Sequence, residues 1–418
     1  LRSSDFFSMR PLRIAKYILF ILLVYAASTL LLRKPLVKVK SAEQKWVIHN
    51  GFCIRPYLHA GRNVTLRSLS DSGNRATVVL KGWPKDDPEV FIDDLTLLTH
   101  SSASALDEDY LSKLLTNWRG PISLAVSLQG HQDEGYVREK IERTLELLPD
   151  PEYATQLAVH IMFERVRKLS CDRSSRIRRD DILADTVFFA SYPINTVRNV
   201  ARLFSSTRYI AFADSDYLFS SGFYDKILPI LRENAPVGSK NALLYRIFEI
   251  DEEESRLRNY QLTKDDLKTL IDDEKARVFH GKRWSQGHSV PKLPEWLESP
   301  ESTRPGIFDL TIKLKKRKFW EFQFSGLRDV PLFDESFPYR VDNNLELRWE
   351  VCRAGYRLLP IEDLFVYHTL SNGEDNKDDG ANKNAIKKKN LSRSSKAKKA
   401  LIERMKQLYP DTKDDCPY

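Results

Sequence analysis

Short apolar runs and helix-spaced apolar positions alternate along the middle of this chain. Residues 91–99 are strand-like, residues 122–128 are close to continuously apolar, and Gly120-Pro121 punctuates the approach to the second run. Runs of that length read as strands covered on both faces, as in a parallel sheet. Residues 111–118 and 135–148 instead space their apolar positions three and four apart, the pattern of a helix with one buried face. A further strand is expected over 156–163, a helix over 194–204 and a strand from Tyr209. Helical spacing returns over 220–233, a highly charged and exposed helix is expected over 249–273, and 319–324 and 356–367 complete the strands. Alternation of this kind predicts a doubly wound α/β sheet. No internal repeat is visible.

The flanks differ in character. Residues 17–32 carry no charge and lie between Arg10, Arg13 and Lys16 on one side and Arg33 and Lys34 on the other. A membrane span takes roughly 20 residues, and Ile14 and Ala15 lengthen this one if Lys16 snorkels to the interface. The expectation is a cytoplasmic tail over 1–16, a single signal-anchor transmembrane helix over 17–34 and a stem over 35–88 with extended structure near 76–80. A signal peptide cleaved near Ala26-Ala27-Ser28 is the competing reading, but the apolar run continues past those small residues. The flanking charges are nearly balanced and do not settle orientation. Beyond Asn372 the composition turns to Asp, Asn, Gly, Lys and Ser, so 373–418 is expected as a basic tail with a final helix near 397–409.

A hydrophobic share of 42% and a charged share of 30% are those of a folded protein. The net charge of +8 is concentrated in that tail, with Lys377, Lys383, Lys387, Lys388, Lys389, Lys396, Lys398 and Lys399, and neither zinc-ligand spacing nor an RNA-binding aromatic motif accompanies it. Nucleic acid is therefore not an expected partner. Cys53, Cys171, Cys352 and Cys416 permit two disulfides in three pairings, or buried thiols. The sequons at Asn63 and Asn390 are compatible with a lumenal location.

The chemistry-bearing stretch is Tyr209-Ile210-Ala211-Phe212-Ala213-Asp214-Ser215-Asp216, an apolar strand running into two carboxylates. Residues i and i+2 of a strand share a face, so Asp214 and Asp216 are expected to converge on one cation at the strand's end. Hard oxygen ligands suit Mg²⁺ or Mn²⁺ with positions left for substrate phosphates, and ligands of α/β sheets bind beyond the strands' C-terminal ends. The bland reading of the same residues is a strand-to-turn junction with solvated acids.

Several further segments, in order, resemble glycosyltransferase family 49, which includes β-1,4-glucuronyltransferase and the C-terminal domain of the LARGE xylosyl-glucuronyltransferases. They are Asn117-Trp118-Arg119-Gly120-Pro121-Ile122-Ser123-Leu124-Ala125, then Tyr192-Pro193-Ile194-Asn195-Thr196-Val197-Arg198-Asn199-Val200-Ala201-Arg202, the Asp214-Ser215-Asp216 pair, Gly287-His288 with Trp296 after it, Pro331-Leu332-Phe333-Asp334-Glu335, and Tyr367-His368. The resemblance spans residues 90–372 or so, and leaves stem and tail uncovered.

It implies a GT-A-type nucleotide-sugar-binding domain over 89–372, a bound Mn²⁺ (or Mg²⁺), a UDP-sugar donor, a glycan acceptor on protein or lipid, and a type II topology in the Golgi membrane. Asp214 and Asp216 would hold the ion, with His368 as third ligand. Arg198 would meet the donor or orient an Asp carboxylate. Lys282 and Arg283, beside His288, would clamp the diphosphate. An inverting transfer needs a base, and Asp342 is the first candidate, Glu346 the second. Here the chain departs from the family: Tyr339-Arg340-Val341-Asp342-Asn343-Asn344 stands where the family has Gly-Trp-Asn-Lys, and Phe319-Trp320-Glu321-Phe322 replaces a Glu-Pro-Tyr. Those departures bear on sugar and acceptor choice more than on the metal. Trp284, Trp296 and Trp320 are candidates to stack on a sugar ring, although such aromatics usually belong to the core. Glucuronate, xylose and N-acetylglucosamine remain open as the donor sugar. The rival readings are an inactive lumenal relative that binds glycans or scaffolds a partner, and a polyanion-binding protein using the Lys-rich tail.

Overall fold

In a computed structural model, residues 47–50, 52–58, 65–66, 80–81, 91–128, 134–164, 192–370 and 380–418 are described. The expected anchor over 17–34 and sequon Asn63 lie outside them, as does the extended piece expected near 76–80 except Leu80. Among the described residues no helix is long and apolar enough to cross a membrane.

The chain opens with β1 (Val47–His49) and β2 (Phe52–Leu58), then β3 (Ile92–Ser102), α1 (Glu108–Trp118), β4 (Ile122–Ser127), α2 (Glu134–Glu146) and β5 (Leu157–Glu164). Next come α3 (Ile194–Leu203), β6 (Thr207–Phe212), β7 (Tyr217–Phe219), α4 (Phe223–Asn234) and β8 (Asn241–Asp251). Then follow α5 (Glu252–Leu257), α6 (Lys264–Asp272), β9 (Ala276–Val278), α7 (Ser285–His288), α8 (Leu293–Glu298), β10 (Gln323–Leu327), α9 (Leu345–Arg353), β11 (Arg357–Leu370) and α10 (Gly380–Leu408).

Among the described residues these eleven strands join one mixed sheet, in the order β1-β2-β5-β4-β3-β6-β10-β8-β11-β7, with β9 on β8, while Thr65–Leu66 and Leu80–Lys81 pair separately with each other. The block β5-β4-β3-β6 is parallel throughout. Within it the chain runs outward from β3 through β4 to β5, then returns by α3 to place β6 on β3's other side. That reversal leaves a crevice at the C-terminal ends of β3 and β6, where ligands of α/β sheets bind. The doubly wound expectation thus holds for this block. Beyond β6 the sheet is mixed: β10 is antiparallel to β6 and β8, while β8 and β11 run parallel.

Each face of the sheet has its own apolar core. Leu95 and Leu97 of β3 pack with α1, α2 and α4 on one side, while Leu98 meets Val197, Val200 and Ala201 of α3 on the other. Strand alternation carries that second face on to His100.

Three elements depart from the sequence expectations. Strand β8, near the middle of the sheet, was not anticipated, and Glu249–Asp251 ends it rather than opening an exposed helix. Its Arg246 and Glu249 break the apolar pattern but are satisfied in place, Arg246 by the carbonyls of Val290 and Pro291 and Glu249 by Arg277. The strand expected over 319–324 begins only at Gln323. Residues 47–58, assigned to the stem, extend the sheet, with Cys53 opposite Phe163.

Residues 380–418 pack onto the domain. Ala397, Leu401 and Met405, a four-residue stripe on α10, bury against Phe337, Leu345 and Trp349. A disulfide joins Cys352 to Cys416 across 64 residues, worth about 4 kcal/mol on a chain-entropy estimate. Cys53 is disulfide-bonded as well.

Candidate active site

Strand β6 ends at Phe212, so Asp214 and Asp216 stand in the turn that leads into β7. They do not share a strand face, and their carboxylates go separate ways. Asp214 turns toward β3 and α3, where its Oδ1 accepts from His100 Nε2 and Arg198, each at 3.2 Å. Asp216 turns to β11, with Oδ2 3.3 Å from His368 Nε2. Among the described residues no three His, Cys, Asp or Glu side chains converge tightly enough to hold an ion as they stand.

The quoted motifs explain why the turn takes this path. In α1, Asn117 accepts from the Phe219 N–H and donates to the carbonyls of Phe219 and Tyr260, which ties the helix end to β7. Arg119 leaves the helix in the left-handed region at φ 61°. Gly120 follows because any Cβ there would lie 2.4 Å from the Tyr224 ring. Trp118 fills the core against Phe219 and Phe223. This segment therefore fixes the strand that follows Asp216.

The polar residues of α3 hold the Pro331–Glu335 motif rather than solvent. Asn199 bonds both to the backbone of Phe333 and to Glu335 Oε1, and Thr196 donates to Glu335 Oε2. Arg202 caps the carbonyls of Arg328, Val330 and Pro331. Arg198 is buried over the Phe333 ring and donates to the Asn343 carbonyl as well as to Asp214. It is thus held against an aspartate while also lining the cleft described below.

Burial works against a charge on Asp214, but the His100 hydrogen bond and Arg198 outweigh it and hold this carboxyl well below the usual carboxylate range. Asp214 can only accept, so His100 carries a proton on Nε2 and Nδ1 takes a hydrogen bond from the buried Tyr192 hydroxyl at 3.0 Å. Tyr192 in turn packs edge-on against Tyr339. His100 was absent from the expected site. Its signal was position, one residue past an apolar run on the same sheet edge as Asp214.

These groups open onto a cleft lined by Thr99, His100, Arg198, Asp214, Tyr217, Gln323, Asn344 and Arg348 among others. His368 sits beside it on β11, opposite Tyr217 in the register.

Other expected residues lie elsewhere. Asp342, at φ 55°, points to α10, where Ser394 donates to it at 3.3 Å and Lys398 lies 3.7 Å away. Glu346 is fully buried and takes a hydrogen bond from Asn195. Burial pushes its carboxyl well above the ordinary carboxylate range. Neither lines the cleft, so neither is placed to meet an acceptor. His288 is buried and donates from Nδ1 to the Glu321 carbonyl; burial, with His280 nearby, depresses its ring to about 3, so it carries no charge for a phosphate. Lys282 and Arg283 are exposed on the turn before α7 and do not line the cleft. Trp296 and Trp320 are core residues, whereas Trp284 is half-buried and packs on His288. The Asn390 sequon is buried in α10, its amide donating to the Tyr339 carbonyl.

Sequence comparisons bear on what this cleft belongs to. The family model described as glycosyl-transferase for dystroglycan matches residues 94–410. β-1,4-Glucuronyltransferase 1 of Danio rerio is 26% identical over 328 residues, 73% of this chain and 74% of that protein. Xylosyl- and glucuronyltransferase LARGE2 of Rattus norvegicus is 27% identical over 282 residues, 66% of this chain but 34% of the relative. The chain thus spans about a third of the LARGE proteins it matches. Among solved structures, S. aureus TarS aligns at a TM-score of 0.34 and 11% identity over 66% of this chain and 37% of its own. GalNAc-T7 with UDP, GalNAc and Mn²⁺ aligns at 0.32 and 9% over 72% and 48%. Likenesses this slight carry no argument. The family match does: it starts in the strand that carries His100, runs through both aspartates and His368, and continues along α10, and the chain belongs to this family of glycosyltransferases.

Proposed function

We propose that the chain moves a sugar from a UDP-sugar to a glycan acceptor in a GT-A-type, divalent-metal-dependent reaction. Its setting would be the Golgi lumen, behind a single N-terminal anchor of type II orientation. The names of the relatives put glucuronate and xylose first among donor sugars to try. One observation supports the reading: Asp214 lines the cleft together with Arg198 and Arg348, and two residues on in the same turn Asp216 faces His368 at 3.3 Å.

The donor set fits a divalent ion. Asp216 and His368 already face each other at 3.3 Å, and a carboxylate with an imidazole suits Mn²⁺. Asp214 uses only Oδ1 for His100 and Arg198. These three residues would hold the ion, which when bound supplies positive charge for the departing diphosphate. The chain's own contribution is to keep Asp214 ionised and aimed and to supply Arg348 as a further cation at the cleft.

The test is a panel of UDP-sugars against an acceptor glycan array, with purified protein, Mn²⁺ and an EDTA control. Acceptor-dependent UDP release that EDTA abolishes is expected. Asp216→Asn should melt as the parent does, since its side chain is 54% exposed, while turnover falls by orders of magnitude. Near-native Mn²⁺-dependent turnover in that variant would falsify the metal assignment. UDP binding without turnover under any condition would point instead to an inactive glycan-binding relative.

A further inference from the structure

We infer that Glu321 is the general base of this reaction, taking the proton of the acceptor hydroxyl. This assignment rests on the transferase reading above. Asp342 is turned to α10 and Glu346 is sealed in the core, whereas Glu321 stands directly behind the cleft lining, bonded to Asn344. Asp334 and Glu335, the other acids of the neighbouring loop, are engaged by Arg404 and by Asn199 and Thr196.

Glu321 is placed by residues that otherwise have no role in the cleft. Its N–H donates to the Gly287 carbonyl at 2.7 Å, and its own carbonyl accepts from His288 Nδ1 at 3.2 Å. The Gly287-His288 motif, expected to clamp phosphate, thus pins the backbone of Glu321. A Cβ at Gly287 would lie 2.4 Å from the Trp284 ring, so this anchor requires glycine. The Glu321 side chain then stands beside Gln323, Asn344 and Arg348, all cleft-lining. Asn344 Nδ2 donates to Oε2 at 3.2 Å, and Asn344 is itself held by Arg348. Oε1 has no hydrogen-bond partner among the described residues.

One oxygen fixed by an amide and one left open is the arrangement a proton acceptor needs. Burial raises the Glu321 carboxyl above the ordinary range, partly offset by Arg348 and Arg198, with Asp214 pushing the same way as burial. Tyr217 and His288 are the other titratable neighbours. A carboxylate whose affinity for a proton is raised in this way is a stronger base. In the step, the acceptor O–H proton passes to Oε1 while its oxygen bonds to the donor's anomeric carbon. The bond from that carbon to the diphosphate oxygen breaks, and its electron pair leaves on the UDP.

The experiment compares full-length parent, Glu321→Gln and Glu321→Asp on the best donor and acceptor from the panel. Glu321→Gln should lower kcat by roughly 10² to 10⁴-fold, keep the UDP Kd and the unfolding midpoint, and lose the acidic limb of the kcat/KM profile against pH. Glu321→Asp should regain part of the rate with a displaced limb. A Gln variant with parental kcat and an intact acidic limb overturns the assignment. So does one whose UDP affinity falls as far as its rate, which would make Glu321 a donor-binding group. If the parent turns over normally and Glu321 is indifferent, this inference alone fails. If the parent neither binds UDP nor consumes any UDP-sugar, the transferase reading fails and takes this one with it.

Discussion

Two cation-bearing helices, α3 and α10, flank the loop over 331–346 and use their charges in opposite ways. On α3, Asn195, Thr196, Arg198, Asn199 and Arg202 are all buried, each bonded to a backbone carbonyl or a carboxylate. On α10, Lys388, Lys389, Arg393, Lys396 and Lys399 face water, and the helix is held by its apolar stripe, by Arg404 and by the disulfide beyond it. Amphipathic spacing reports that one face of a helix is buried. It is silent on whether the polar face meets water or another part of the chain. For α3 the answer is a second, polar interior, and that interior aims Asp214.

The strongest way to break the contrast is Arg198→Met, which keeps the volume on α3 and releases Asp214 from its buried partner. Turnover should drop roughly 100-fold, equivalent to about 2.7 kcal/mol, and the Mn²⁺ titration should move as the carboxylate loses its aim. An unchanged titration with unchanged turnover would mean that His100 alone orients Asp214.

Arg404→Met probes an α10 cation that behaves like those of α3. It bridges Asp334 and the fully buried Glu350 at 2.6 and 2.8 Å. Removing this guanidinium from the buried Glu350 should cost about 2 kcal/mol, read from urea unfolding with the disulfide intact. A cost within error would show that α10 is docked by its apolar stripe alone.

The smallest effect is expected from Lys389→Gln combined with Lys396→Gln. Exposed charges of this kind are worth under about 0.5 kcal/mol each, so stability should not move measurably. A clear loss would mean that the exposed face of α10 carries interactions of its own.

The candidate site was legible in unequal parts. Apolar strands ending in acids marked the correct sheet edge, and Tyr367-His368 was correctly placed on it by the end of an apolar run. The detail of the pair was not legible. The apolar run continues to Ala213, yet β6 stops at Phe212, so Asp214 and Asp216 diverge in a turn. The candidate bases turn away for a related reason. The resemblance pointed to Asp342 and Glu346, but α10 draws one toward Ser394 and Lys398, and Asn195 holds the other in the core. Glu321, in a stretch noted only for departing from its family, gains meaning from Gly287 and His288, more than thirty residues upstream.

By itself, then, the order of apolar runs and helical stripes determined the parallel block, the edge of the sheet that carries the acids and the family of the chain, because those depend on local alternation and contiguous motifs. Tertiary structure alone decided which carboxylate meets which partner. That choice depends on groups brought within about 3 Å from elements far apart in sequence, and on whether partners outweigh burial, as they do at Asp214, or burial wins, as it does at Glu346, which no local pattern encodes.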